Sequence, residues 1–344
     1  MNHTSRYAAI HSKLKVRKRA FLTPEDYETI LTFTTIDQMQ VFLKSKIGFR
    51  EVLKRSTDID LHRADLEIIL HRYEVSEIEK IIYYFSDHYR AFFRTMLMEY
   101  EMLDLQLILQ TIAKNVDTDQ IKNHFVHSIK YSKLNYNTLL EAKTVPEFVE
   151  SLRGTIYYNS LKTLTQEDAI RREFHMEMKL YILYYKELMA KIERLDPEDC
   201  EIGKEIIGTL IDCINIQWIY RGVKYYAISP EEILIYTLGN GRKISYGKLK
   251  KLCYAGSIDE LKVMAQAYLG YPIFKEEDDS LLGQTIDGYL DAFYMKYDQK
   301  DNIGLCIAFL YELALQIKGL ISMTECIRYG YSVDIKRKYL VQRR

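Results

Sequence analysis

The sequence predicts an all-α protein, on three observations. Proline and glycine are scarce, at 5 and 15 among 344 residues, below average usage. Apolar residues recur at helical spacing through most of the chain, while period-two alternation never persists and β-branched runs stay short. A helix-start signature also occurs three times, as Thr35-Ile36-Asp37-Gln38, Thr144-Val145-Pro146-Glu147 and Ser257-Ile258-Asp259-Glu260. Each reads as a capping box, in which the hydroxyl satisfies the orphan amide three residues on and the Gln or Glu there reaches back to the cap amide. The copies are 109 and 113 residues apart, and their surroundings repeat: ILTFTTIDQMQVFLKSKIGFREVL, LLEAKTVPEFVESLRGTIYYNSL and, more loosely, LKKLCYAGSIDELKVMAQAYLGYPIF. This predicts a module of about 110 residues used three times, placed at residues 1–115, 116–227 and 228–344. Such a chain favours a pseudo-symmetric shape over a single catalytic cleft.

The elements follow in order. A basic run, Lys13, Lys15, Arg17, Lys18 and Arg19, leads into Thr23-Pro24, an N-cap with proline at the first helical position. After the Thr35 box comes a helix carrying Glu101-Met102-Leu103-Asp104-Leu105-Gln106, closed by a break at 115–119. His124 and His127 are expected three apart on a helix, as a polar face; a metal would need further ligands, and none is recognisable. Asp196-Pro197-Glu198-Asp199 breaks the chain before a long helix. Ile207, Leu210, Ile211, Ile214 and Trp218 share one face of it, and Ile216 and Ile219 lie on the other side with Asp212 between them. That pattern implies a helix packed on two sides. Gly222 is expected to end it in the left-handed conformation, with Arg221 at the negative helix end.

Within this helix Asp212-Cys213-Ile214-Asn215-Ile216-Gln217 repeats the Glu101–Gln106 motif 111 residues later. Polar residues inside an apolar helix read as buried hydrogen-bonding groups that fix register, because buried polar groups must be satisfied locally. Ser229-Pro230 starts the next helix. Gly239-Asn240-Gly241-Arg242-Lys243 lacks the GxxxxGK[ST] pattern and follows a helix, so it reads as a turn rather than a phosphate cradle. The chain ends through an acidic loop, KEEDDS, and the basic tail Lys336-Arg337-Lys338 with Arg343-Arg344.

Composition excludes several classes. Basic and acidic residues balance at 48 each, so there is no electrostatic footprint for nucleic acid. Zero net charge fits a surface meant to associate. The 29 tyrosines read as amphipathic filler on helix faces. Cys200, Cys213, Cys253, Cys306 and Cys326 are odd in number and lack CxxC spacing. They predict neither a disulfide framework nor a zinc site, and a reducing compartment. No secretory signal is evident, and no apolar run is expected to approach the about 18 residues of a membrane span. Nucleophile elbow, HExxH and Ser-His-Asp patterns are missing, so no catalytic residue, cofactor, metal or nucleotide is expected. The two basic clusters read first as solvated helix ends; the alternative is contact with an acidic partner or anionic headgroups.

GTLIDCINIQWIYRGVKYYAISPEEILIYTL, residues 208–238, closely resembles the C-subunit family of the V-type ATPases of bacteria and archaea, which includes the d subunit of the eukaryotic vacuolar enzyme. The family pattern of an acid, then Asn-Ile, an apolar turn and Arg maps onto Asp212, Asn215, Ile216 and Arg221. MLMEYEMLDLQLILQTI, with Glu101 and Asp104, fits as an earlier copy, and SKLKVRKRAFLTPEDY is similar to the family's N-terminal helix and turn. NIGLCIAFLYELALQIKGL resembles a third copy, with Ile303, Gly304, Ala308 and Phe309 in place. There the chain departs from the family: Ala314, Gln316 and Gly319 stand where two glutamates and an Asn are usual. The resemblance implies three helical modules around a pseudo-threefold axis, forming a funnel. It also implies a non-catalytic part of the central stalk, peripheral on the cytoplasmic face of the membrane. Its partners would be the rotor shaft of the ATPase head and the proteolipid ring, and its task torque transmission for proton or sodium transport. The competing readings are a helical scaffold or adaptor unrelated to a rotary machine, and a helical enzyme with a site assembled from scattered residues.

Overall fold

The computed structural model describes residues 3–53, 63–165, 167, 173–226, 228–275 and 279–340. The Arg343-Arg344 tail and part of the acidic loop lie outside them. Among the described residues the regular elements are α-helices and short 3-10 turns, with no strand. In chain order the helices are α1 (His3–Lys18), α2 (Pro24–Leu31), α3 (Ile36–Ser45), α4 (Ile47–Leu53), α5 (Arg63–Ile82), α6 (Asp87–Met96), α7 (Met98–Ala113), α8 (Tyr136–Glu141), α9 (Val145–Ser151), α10 (Tyr158–Leu161), α11 (Glu173–Ile192), α12 (Pro197–Tyr225), α13 (Pro230–Ile235), α14 (Tyr246–Cys253), α15 (Ile258–Leu269), α16 (Leu282–Tyr294), α17 (Ile303–Arg328) and α18 (Val333–Tyr339).

Thr35, Thr144 and Ser257 are all N-caps, each accepting from the amide three residues on. The return bond differs from expectation in a way all three share. Gln38 accepts from Thr34 N at 2.7 Å, Glu147 from Lys143 N at 2.9 Å and Glu260 from Gly256 N at 2.7 Å. Each acceptor thus reaches the residue before the cap, and only Gln38 also takes the cap amide itself, at 3.2 Å. The extended cap backbone brings the preceding amide within reach and satisfies one more group at the chain's entry. Thr23 and Ser229 are N-caps with proline at the first turn, as the sequence requires.

The chain forms two compact units, residues 1–74 with 196–344, and residues 75–195. In the first, α17 is the central core helix, burying Ile303, Leu305, Ile307, Phe309, Leu313, Ile317, Leu320 and Met323. It packs against α1, α3, α12 and α16. One apolar cluster joins Tyr27, Ile30, Leu31, Met39, Leu43 and Phe49 to Leu313, Ile317, Leu320 and Met323. The N-terminal short helices are therefore packed on the C-terminal long helix. The α15 helix that starts at Ser257 packs on α12.

Helix α17 departs from expectation. It runs 26 residues, with a window of mean hydropathy 1.6 that is 72% buried. Glu312, Gln316 and Lys318 interrupt the run without lowering its average below that of a membrane span. Here the apolar surface is covered by the unit's own helices.

Helix α12 also differs. It continues past Gly222 to Tyr225, and Gly222 is buried in helical conformation. A Cβ there would stand 2.9 Å from Ile233 Cδ1, so the glycine lies in close packing against α13 rather than at a cap. The apolar face read from the sequence is only partly deep: Ile207 and Ile211 are fully buried and Leu210, Ile214 and Trp218 half-buried, while Asp212, Asn215, Ile216 and Ile219 on the other side are fully buried.

In the second unit α11 packs against α6, α7 and α10, and α7 against α9. Phe92, Phe93, Leu105, Ile108, Phe148, Leu161, Leu180, Leu188 and Ile192 form its interior.

Candidate functional site

Buried polar residues on α7, α12 and α17 are the unusual chemistry of this chain, and on each helix one of them grips a connector. On α7, Asp104 Oδ1 accepts from Val126 N at 2.8 Å, and Oδ2 accepts from His127 N at 3.0 Å. His127 Nδ1 lies 2.7 Å from the same Oδ2, and its ring stacks on Tyr136 at 3.7 Å. His124 and His127 are in a loop rather than on a helix; the pull of Asp104 on two successive amides holds that segment extended. One turn earlier, Glu101 accepts from the Tyr157 hydroxyl. Burial and the neighbouring Glu101 carboxylate push the Tyr157 phenol far above its ordinary range. It stays neutral and can only donate to that carboxylate.

On α12, Asp212 Oδ2 accepts from Lys243 N at 2.7 Å and Oδ1 from Ile244 N at 3.1 Å. Asn215 exchanges two bonds with Leu238, taking its amide at 2.7 Å and donating to its carbonyl at 2.9 Å. The connector from Leu238 to Ile244 is thus pinned at both ends. It is a turn, with Asn240 left-handed at φ 65° and Arg242 N bonded to Gly208 O at 3.2 Å. A Cβ on Gly241 would lie 2.2 Å from Asp212 Oδ1 and 3.0 Å from Ile244 O. Gly241→Ala is expected to cost about 1–3 kcal/mol, as overpacking does. A denaturation midpoint equal to that of the parent protein would show that the turn can shift freely.

On α17, Gln316 Oε1 accepts from Leu22 N at 2.7 Å, and Glu312 receives Lys18 Nζ at 2.8 Å. Gln316, one of the residues at which the chain is expected to depart from the family it resembles, therefore grips backbone. Ala314 and Gly319 are half-buried and add nothing to that grip. The correspondence between the motif copies is partial. Asp104 and Asn215 hold amides 22 and 23 residues on, while Glu101 and Asp212 take different donors. Gln316 reaches instead to the N-terminal segment.

The other predicted residues fall apart into two groups. Lys336 is buried and donates to the carbonyls of Leu31, at 3.3 Å, and Phe33, closing the C-terminal end of α2. Arg337 pairs with Glu28 through both nitrogens. Lys18 is held by Asp298 and Glu312. Lys336 and Lys18 are therefore engaged within the fold, whereas Arg337 is half-exposed in a surface pair. Lys13, Lys15, Arg19 and Lys338 are exposed, and Arg17 is half-exposed. Arg221 is exposed, 3.3 Å from the Tyr226 hydroxyl, beside a cavity of about 310 Å³ lined by Gln217, Gln284, Asp287 and Lys318 among others.

Sequence reasoning misses Asp199 and Asp287. Asp199 reads as part of a break; it is fully buried in the first turn of α12, accepting from Tyr7 OH at 2.6 Å and Ile303 N at 3.3 Å. Its signal is an acid at the start of a long apolar helix, where the dipole favours negative charge. Asp287 pairs with Lys318 at 2.7 Å, and burial raises its carboxyl above the ordinary range against the pull of that lysine. A raised folded value means the folded state binds the proton more readily than the unfolded chain. The parent protein should therefore gain stability relative to Asp287→Asn as pH falls from about 7 toward about 4. Parallel denaturation curves of the two at each pH test this, and a difference constant with pH would contradict it.

Among the described residues no group of His, Cys, Asp and Glu could hold a metal ion. All five cysteines are buried, and burial pushes the Cys253 thiol up to about 12, so it is not a nucleophile near neutrality. The acids on the long helices accept from the chain's own donors, so what this arrangement does chemically is hold shape.

The fold and these grips define an all-helical protein whose long-helix acids bond to its own chain. The sequence matches the ATP synthase (C/AC39) subunit family over residues 10–339, and the chain belongs to that family. It is similar to the C subunit of the A-type ATP synthase of Methanosarcina mazei, 21% identical over 75% of this chain and 70% of the relative. It is also similar to the protein of the same name from Archaeoglobus fulgidus, 26% identical over 77% and 73%.

Proposed function

We propose that this chain is the central-stalk socket of a rotary ATP synthase or ATPase. In this reading it receives the rotor shaft of the soluble head, rests on the proteolipid ring of the membrane sector, and carries torque between ATP turnover and proton or sodium transport. It is peripheral, on the cytoplasmic face, and catalyses nothing. Family membership over residues 10–339 supports the reading. The observation that carries it is mechanical: α7, α12 and α17 are each bonded through a buried polar side chain to a connecting segment. A part that transmits torque must not yield at its joints, and such bonds inside a close-packed interior resist yielding. The modules at 1–115, 116–227 and 228–344 would surround a pseudo-threefold axis to form the funnel. Lys13, Lys15, Arg17, Arg19 and Lys338 are the candidate contacts to the ring or its lipid.

The isolated chain is expected to bind the shaft proteins of such an ATPase and to show no ATP binding or hydrolysis. Co-purification with the shaft tests the first and equilibrium dialysis with ATP the second. Saturable nucleotide binding with no shaft binding would contradict the proposal.

A further inference from the structure

The turn between α17 and α18 is built to be rigid and yet presents apolar side chains to water. Helix α17 ends with Tyr331 N bonded to Cys326 O at 3.0 Å and Gly330 N to Ile327 O at 3.0 Å, with Gly330 left-handed at φ 64°. This paired closure fixes the direction in which the chain leaves the helix. On the other side, Lys336 and Arg337 tie α18 to α2 through the Leu31 and Phe33 carbonyls and Glu28. Between these anchors every residue from 329 to 335 is exposed. Tyr329 is 61% exposed, Tyr331 38%, Val333 42% and Ile335 40%. Tyr329 and Tyr331 stack at 5.7 Å, and Tyr331 stacks on Tyr339 at 6.3 Å. The Arg328 guanidinium lies 5.5 Å over the Tyr329 ring and pairs loosely with Glu325 at 3.8 Å while staying exposed, and exposed Lys338 follows. Asp334 is the one acid on the tip.

From this we propose that the α17–α18 turn is an interfacial foot that seats its tyrosines and aliphatic side chains at the headgroup level of an anionic bilayer. The proposal deepens the reading of a membrane-peripheral protein and rests on it. Three features favour lipid over a protein surface. Tyrosine, with an apolar ring and a wet hydroxyl, is the side chain that suits the bilayer interface. Cations flank the apolar tip on both sides, as attraction to anionic headgroups requires. A stable protein interface needs about 20–30 residues a side; a tip of seven exposed residues, the turn and the first residues of α18, falls short of that, whereas an interfacial anchor needs only a few inserted side chains and some charge.

The test is co-sedimentation of the full chain with vesicles of phosphatidylcholine alone and of phosphatidylcholine with about one-third phosphatidylserine. Binding is expected to the anionic vesicles, weakening as salt rises. Lys338→Glu should weaken it about fivefold or more at low salt, since a surface cation is worth about 1 kcal/mol. The double variant Tyr331→Ser, Ile335→Ser should weaken it roughly tenfold at every salt concentration. Thermal midpoints of the variants should match the parent, so that lost binding is not lost folding. Equal affinity for neutral and anionic vesicles, or tip variants that bind like the parent, would overturn the foot. So would tip-dependent binding seen only with the proteolipid ring in a neutral bilayer, since that assigns the tip to protein. Shaft co-purification by the same variants reads the coupling role separately: a lipid failure with shaft binding intact removes the foot alone.

Discussion

Asp212→Leu is expected to destabilise the unit formed by residues 1–74 and 196–344 by about 2–6 kcal/mol. The leucine fits the space of the carboxylate but leaves the amides of Lys243 and Ile244 without an acceptor, at about 1–3 kcal/mol for each buried orphan. Burial already holds the Asp212 carboxyl above its ordinary range, opposed by the bonds from those amides. The charge is therefore tolerated only because the amides are there. Asp212→Asn should be milder, since one oxygen still accepts while its amide nitrogen meets a second donor. Trp218, the single tryptophan, lies on the same helix, so denaturation followed by its fluorescence reports on the right unit. A midpoint moved by less than the equivalent of about half a kcal/mol is the surface-residue outcome and would show that the turn finds water instead.

Asp104→Leu should have an effect of similar size in the unit of residues 75–195. Three donors lose their acceptor: the amides of Val126 and His127, and the His127 ring nitrogen. Asp104 is 1% exposed, so water does not replace it without opening the fold. The ring of His127 can turn outward, but the two amides are fixed by the backbone, and they set the cost at about 2–6 kcal/mol. This unit contains no tryptophan, so amide hydrogen exchange is the suitable measurement. Val126 and His127 should lose protection first, followed by the α8 and α9 segments that the connector leads into. Unchanged protection at 126 and 127 would contradict the grip. Arg221→Ala, by contrast, removes an exposed side chain and should change stability by less than about 0.5 kcal/mol.

Helix content, the three N-caps and the buried polar motif are legible in the sequence because each rests on local chemistry. A cap is read from four residues, and a polar residue inside an apolar helix must find a partner wherever that partner is. The partners are not legible: those of Asp104, Asp212 and Asn215 include backbone amides 22 to 32 residues away, which carry no side-chain signature, and that of Glu101 is a hydroxyl 56 residues on. Gly222 misleads for the same reason: a glycine at an expected helix end looks like a cap, and only the approach of Ile233 makes it a packing residue. Lys336 looks like surface charge until the fold places it under the last carbonyls of α2. The packing of the N-terminal short helices on α17 joins segments some 290 residues apart, as in the Leu22–Gln316 bond, and no local pattern encodes that.

The coupling of rotor shaft to proteolipid ring proposed for this chain is read most directly by reconstitution of the rotary complex with and without it. With the chain present, ATP hydrolysis by the head should drive ion pumping. With it omitted, the head should keep hydrolysing ATP while pumping collapses, and adding the chain back should restore pumping. Pumping that persists at full coupling in its absence would contradict the account.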